Sequence, residues 1–247
     1  MASYLRLEVL RALRDPKYII LAVLSPIGFY LLFSTLFGGQ STGSAGMTVQ
    51  AALMVSMSVY GAMWAVMSAT GPRIAQDRTV GWARQIRLLP IRTSETLVAR
   101  LIAAVALAGP AIALVMLTAV AAKGVTLEDA WRWLVLLALL WLSAIPVALL
   151  GIAIGYGIGP EIAFGVLYAI YLAISALGGL WMPLSIMPGG MQTIGKLLPS
   201  YRAASLGWRL ISGQPFDFTD VLILAAWAVI LSLIVFFFAS RRARTTR

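Results

Sequence analysis

Apolar runs of roughly the 20 residues that a helix needs to cross a bilayer recur along this chain, joined by short links, and they leave little room for another architecture. They cover residues 19–37, 49–70, 97–121, 133–155, 162–180 and 221–239. Composition agrees. Of 247 residues, 61% are hydrophobic and 11% charged, with a mean hydropathy of +0.92, whereas a soluble domain carries roughly 25% charged residues. The expected fold class is an all-α integral membrane protein with six transmembrane helices, forming a single domain over residues 1–247.

The first run is preceded by a charged, amphipathic segment, residues 1–18. On a helical wheel Leu5, Val9, Ala12 and Leu13 share one side, with Glu8, Arg11, Arg14 and Asp15 opposite. That is the pattern of an interfacial helix lying in the membrane plane. Residues 19–37 are too long for the core of a signal peptide and lack a cleavage site, so they are expected to stay as the first span. Gly109 and Pro110 should kink the third span, and the fourth contains Pro146. Residues 178–199, GGLWMPLSIMPGGMQTIGKLLP, are hydrophobic but broken by prolines and glycines. They cannot form one straight span, so residues 178–212 are expected as an extracytoplasmic re-entrant or interfacial region, with 201–211 a short surface helix.

The longest polar segment is residues 72–95, between the second and third runs. It holds Arg73, Arg78, Arg84, Arg87 and Arg92 against Asp77 and Glu95. Trp82, Ile86 and Leu89 recur at i, i+4 and i+7, placing them on one face of a short helix with Arg84 and Arg87 turned away. Pro90 stops that helix, and Thr93 or Ser94 followed by Glu95 fits the start of the next. A compact, basic, partly apolar helix between two spans reads as a handle for a soluble partner. A second link, residues 155–161, ends in Glu161 at a helix start, where the helix dipole favours a carboxylate. The alternative is that Glu161 meets the same partner.

The net charge of +10 has two readings, phosphate binding or membrane topology. Topology accounts for it. With the N-terminus inside, fourteen basic residues fall on inner segments and five (Lys123, Arg132, Lys196, Arg202 and Arg209) on outer ones. Both termini and the handle are therefore expected in the cytoplasm, and no nucleic-acid partner is expected. Arginine outnumbers lysine sixteen to three, a bias like that of a GC-rich bacterial genome, and a bacterial cytoplasmic membrane is the expected location.

Catalytic signals are few. The chain contains no cysteine, histidine or asparagine, so thiolate and imidazole chemistry is excluded and no metal site is expected. Residues 190–196, GMQTIGK, match the first seven positions of a phosphate-binding loop, but Leu197 stands where Ser or Thr must hold magnesium. Gly151 and Gly155 are spaced for close helix packing. The spans carry almost no ionisable residues, whereas ion-coupled pumps mark their path with them. Energy should come from elsewhere. Met57, Tyr60, Trp64 and Met67 share a face of the second span, and Tyr168, Tyr171 and Ser175 a face of the fifth. Either stripe suits a wall for apolar ligands or ordinary helix packing.

Together these parts resemble the permease subunit of a type-2 ABC transporter, of the exporter class. The resemblance rests on residues 74–91, with Asp77-Arg78, Gly81, the Arg84 and Arg87 helix and Pro90, and on residues 198–202, LPSYR. It implies that Asp77, Arg78, Gly81, Trp82, Arg84, Ile86 and Arg87 form the coupling region docked on a separate ABC ATPase, and that Glu161 makes a second contact. It also implies a second permease copy or paralogue, with no cofactor on this chain and ATP and Mg on the ATPase partner. Alternating access would release a small apolar or amphiphilic substrate, such as a drug, antibiotic or lipid-like molecule. The alternative is a non-transporting membrane scaffold or immunity protein, whose arginines bind anionic lipid from the surrounding bilayer.

Overall fold

The computed structural model describes residues 19–39, 47–79 and 93–245, whose regular elements are helices, with no strand among them. A π-helical turn, Ile19–Leu24, leads into α1, Ser25–Phe37, with Pro26 at its start where a missing N–H costs nothing. Next come α2, Val49–Thr79, and α3, Thr93–Lys123. Then follow α4, Ala130–Ser143, α5, Ile145–Gly157, and α6, Pro160–Leu177. After a 3₁₀ turn, Leu184–Ile186, the chain forms α7, Gly189–Leu197, α8, Pro199–Ile211, and α9, Phe218–Thr245.

Among the described residues, five stretches are long and apolar enough to cross a membrane: Val49–Asp77, Glu95–Lys123, Ala130–Gly157, Pro160–Leu177 and Phe218–Ala239. The first of the six expected spans is a shorter apolar helix, Ala22–Phe37. Three details differ from the sequence reading. Helix α2 continues through Pro72 to Thr79, so the first part of the 72–95 stretch extends the span. The fourth span is divided at Ala144, where Pro146 removes a backbone donor and opens α5 as a new helix. Helix α8, expected at the surface, buries Ser200, Ala203, Ala204, Ser205, Leu206 and Gly207. Its small residues let it seat closely: a Cβ on Gly207 would lie 2.6 Å from Val55 Cγ1 on α2.

Helix α2 is the axis of the bundle. It packs against α1, α3, α5, α6 and α8, most extensively against α3, and 83% of its most apolar window is buried, against 17% for α9 at the perimeter. The Gly151 and Gly155 spacing serves this axis. A Cβ on Gly151 would lie 2.1 Å from Thr70 Oγ1, and one on Gly155 2.7 Å from the Gly71 carbonyl. Both glycines therefore bring α5 against α2 within the chain.

Candidate functional site

The two stripes read from the sequence meet in the bundle core. Tyr60 of α2 stacks on Tyr171 of α6 with ring centroids 4.8 Å apart, and the Tyr171 hydroxyl donates to the Tyr60 carbonyl at 3.2 Å. Trp64, one turn along α2, sits 5.1 Å from Tyr171 and edge-on to Tyr168 at 5.5 Å. Such offset and T-shaped pairs each add about 0.5–1.5 kcal/mol beyond area burial. Met57 and Met67 are fully buried in the same core. Ser175 is buried too, but its hydroxyl turns back on its own helix, donating to the Tyr171 carbonyl at 2.7 Å.

Three aromatic members were not singled out in the sequence. Phe29 lies 5.9 Å from Tyr60, Trp181 5.8 Å from Tyr60, and Phe164 6.0 Å from Trp64. Phe164 was legible, one turn before Tyr168 on the same helix. Trp181 was not, because it lies in the irregular segment after α6. The indole N–H groups of Trp64 and Trp181 are buried and find no acceptor among the described residues. In this packing the wall is closed, with Met57, Trp64 and Met67 fully buried, so the two donors lie inside the interface between α2 and its neighbours.

The handle lies at one end of α2. Gly81, Trp82, Arg84, Ile86 and Arg87 fall outside the described residues, as does the side chain of Arg78. Asp77 is placed: its carboxylate accepts a 2.8 Å bond from Arg100 Nη2 of α3, with the two side chains 13% and 12% exposed. Arg100 was missed, since no local pattern links residues so far apart in sequence. Glu161 is exposed in the first turn of α6. It belongs to the same end, because Gly155 abuts Gly71 and Ile74, just before α2 closes.

The opposite end holds a second ionic cluster. Asp220, in the first turn of α9 and fully buried, accepts from Arg202 Nη1 at 2.7 Å and Ser205 Oγ at 2.8 Å, both on α8. Arg209 Nε lies 3.5 Å from Asp220, and Arg209 Nη2 3.0 Å from Asp217. The Asp217 carboxyl titrates below the usual aspartate value, because the Thr219 hydroxyl and backbone N–H hydrogen-bond it, with Arg209 adding to the effect. Nearby helix ends are closed by side chains: Ser200 Oγ donates to the Ile174 carbonyl, Arg202 Nε to Lys196 and Trp227 Nε1 to Leu197. Residues 190–196, the partial phosphate-loop match, lie within helix α7.

Comparison with known proteins adds two findings. The family model described as ABC-2 type transporter matches residues 2–207. A curated relative from Bacillus subtilis (strain 168), named "Putative transport permease YvfS", is 30% identical over 229 residues, covering 92% of this chain and 91% of the relative.

Proposed function

The chain belongs to the ABC-2 type transporter family, and from that premise we propose that it is the membrane-spanning subunit of an ATP-driven exporter whose ATPase is a separate chain. ATP and Mg bind on that partner. Two permease copies, or this chain and a paralogue, complete the pore in a bacterial cytoplasmic membrane, with both termini and the handle on the ATPase side. The fourteen-to-five division of basic residues supports this orientation.

The observation that carries the reading is the position of α2. The handle region joins α2 to α3, which form the most extensive helix pair among the described residues. Helix α2 has 31 residues, about 46 Å at the helical rise, and Tyr60 and Trp64 lie well along it. Force applied at Gly81, Trp82, Arg84, Ile86 and Arg87, seconded by Asp77, Arg78 and Glu161, would therefore travel along one continuous helix, α2, to the aromatic cluster. Closure of the ATPases would draw on this lever and part α2 from α6. The faces carrying Met57, Tyr60, Trp64 and Met67, and Tyr168, Tyr171 and Ser175, then become the cargo path. Cargo and ATP are coupled only as far as cargo binds the parted and packed states differently. The buried donors of Trp64 and Trp181 favour an amphiphilic cargo over a purely hydrocarbon one.

The test is purification of the tagged chain in mild detergent, with identification of what accompanies it. An ATP-hydrolysing subunit is expected, and it should be lost in Trp82→Glu while the melting temperature of the permease is unchanged. A preparation with no such subunit under mild conditions would overturn the assignment.

A further inference from the structure

We propose that the bundle bends at one level, where α3 carries Gly109 and Pro110 and where α4 gives way to α5, and that Trp141 is the positioning residue that latches this bend closed. Pro110 lies inside α3. It offers no N–H to the Ala106 carbonyl, and its ring crowds the turn before it, which is how a proline bends a continuous helix. Gly109 beside it is the weakest helix former after proline. Between α4 and α5 the helix stops at Ala144, whose N–H turns back to the Trp141 carbonyl at 3.2 Å, and Pro146 then opens α5.

The two weak points are level with each other. The Trp141 indole N–H of α4 donates to the Val105 carbonyl of α3 at 2.5 Å, and the ring lies 3.8 Å from where a Cβ on Gly109 would sit. Helix α3 runs away from the handle, so Val105 lies on the handle side of Pro110. Trp141 belongs to α4, which descends from the opposite end. The bond therefore crosses the bend and ties one half of the bundle to the other.

Those halves have different neighbours. On the handle side, α5 is seated on α2 through Gly151 and Gly155 and also packs on α9. On the opposite side, α4 sets Leu136 and Leu140 against Gly207 of α8, where a Cβ would meet them at 3.1 and 3.3 Å. Two helices joined through Ala144 are thus held by different partners, and turning one set against the other requires α3 to bend at the same level. Trp141 is 39% exposed on the perimeter, where lipid tails offer its N–H no acceptor. The Val105 carbonyl supplies it, and the latch sets how much of the population is bent. Its use in transport rests on the lever reading above: a pull on α2 and α3 turns the handle-side half once Trp141 lets go.

The test uses the permease alone, so its outcome stands whether or not an ATPase accompanies the chain. The sequence has no cysteine, and Val98 and Leu117, which straddle Pro110 on α3, are 49% and 63% exposed. Spin labels on Val98→Cys and Leu117→Cys, read by double electron–electron resonance in nanodiscs, should give one main distance of about 28 Å at the helical rise. Trp141→Phe, which keeps a ring and loses the donor, should raise a second distance about five-fold. Adding Pro110→Ala should abolish that second distance, because the bend itself is gone. Trp141→His keeps a ring N–H on a shorter side chain, should give a smaller rise, and carries the test if the Phe variant fails to fold. The proposal is overturned if the folded Trp141 variants keep the wild-type distances and lose only melting temperature, as packing alone would give. It is also overturned if the second distance survives Pro110→Ala.

Discussion

Among the described residues, the two ends of the bundle hold their ion pairs in different settings, one closed over a fully buried carboxylate and one slightly exposed. At the far end, five basic residues face four acidic ones, and the acids are engaged: Asp217 and Asp220 by Arg202 and Arg209, Glu128 and Asp129 by Arg132 at 2.9 and 3.3 Å. At the other end, where α2 closes and α3 begins, Asp77 and Arg100 pair at 2.8 Å with both side chains slightly exposed. An end that neutralises itself is a fixed structural corner, pinning α8 to α9. The other end leads into residues 80–92, whose three arginines and lack of any acid suit the ATPase contact proposed above. The same residue types thus close one end on itself and, in the proposed reading, serve a partner at the other.

The most severe way to break this contrast is Asp220→Ala. It strips the buried acceptor from Arg202, Arg209 and Ser205, and removing one partner of a buried pair costs about 3–5 kcal/mol. Chemical denaturation in detergent should show the loss. Next comes Gly151→Ala, whose new Cβ would meet Thr70 Oγ1 at 2.1 Å and the α2 backbone at 3.2 Å. Overpacking of this kind costs about 1–3 kcal/mol, and because the contact couples α5 to the lever, transport should fall with it.

Asp77→Asn at the handle end should cost less, about 1.5–3 kcal/mol, because the amide oxygen still accepts from Arg100 and both side chains keep some exposure, whereas Asp220 has none. If denaturation shows it to be as damaging as Asp220→Ala, the two ends are equally structural and the contrast fails. The smallest effect concerns pH. Because the Asp217 carboxyl is depressed in the folded state, its contribution is present above the ordinary aspartate value of about 3.9 and is lost only as pH falls through the lower folded value. Thr219→Ala, which keeps the backbone N–H but removes the hydroxyl, should move that acid edge slightly upward in a melting-temperature profile against pH. An unchanged edge would mean that the Thr219 hydroxyl does not hold Asp217.

Much of the architecture was legible in the sequence because it depends on sums over neighbouring residues. Five of the six apolar runs appear as helices long enough to span, and the first as a shorter one. The face shared by Met57, Tyr60, Trp64 and Met67 followed from helical spacing, as did that of Tyr168, Tyr171 and Ser175. What spacing could not say was that the two faces touch, nor that Phe29 and Trp181 complete the cluster. Arg202 and Arg209 misled in a specific way. Charged residues on a short segment suggest an exposed helix, yet these two reach across to the start of α9 while the small residues of α8 sink into the bundle.

The sequence by itself determined that this chain lies in a membrane and which stretches of it form the apolar helices. Hydropathy, proline placement and charge are local properties, and the bilayer reads them locally. Only the tertiary structure decided which polar groups meet. Asp77 finds Arg100, Asp220 finds Arg202, and Gly151 admits Thr70 because α2 stands at the centre of the packing, and a contact between distant residues is fixed by how whole helices dock.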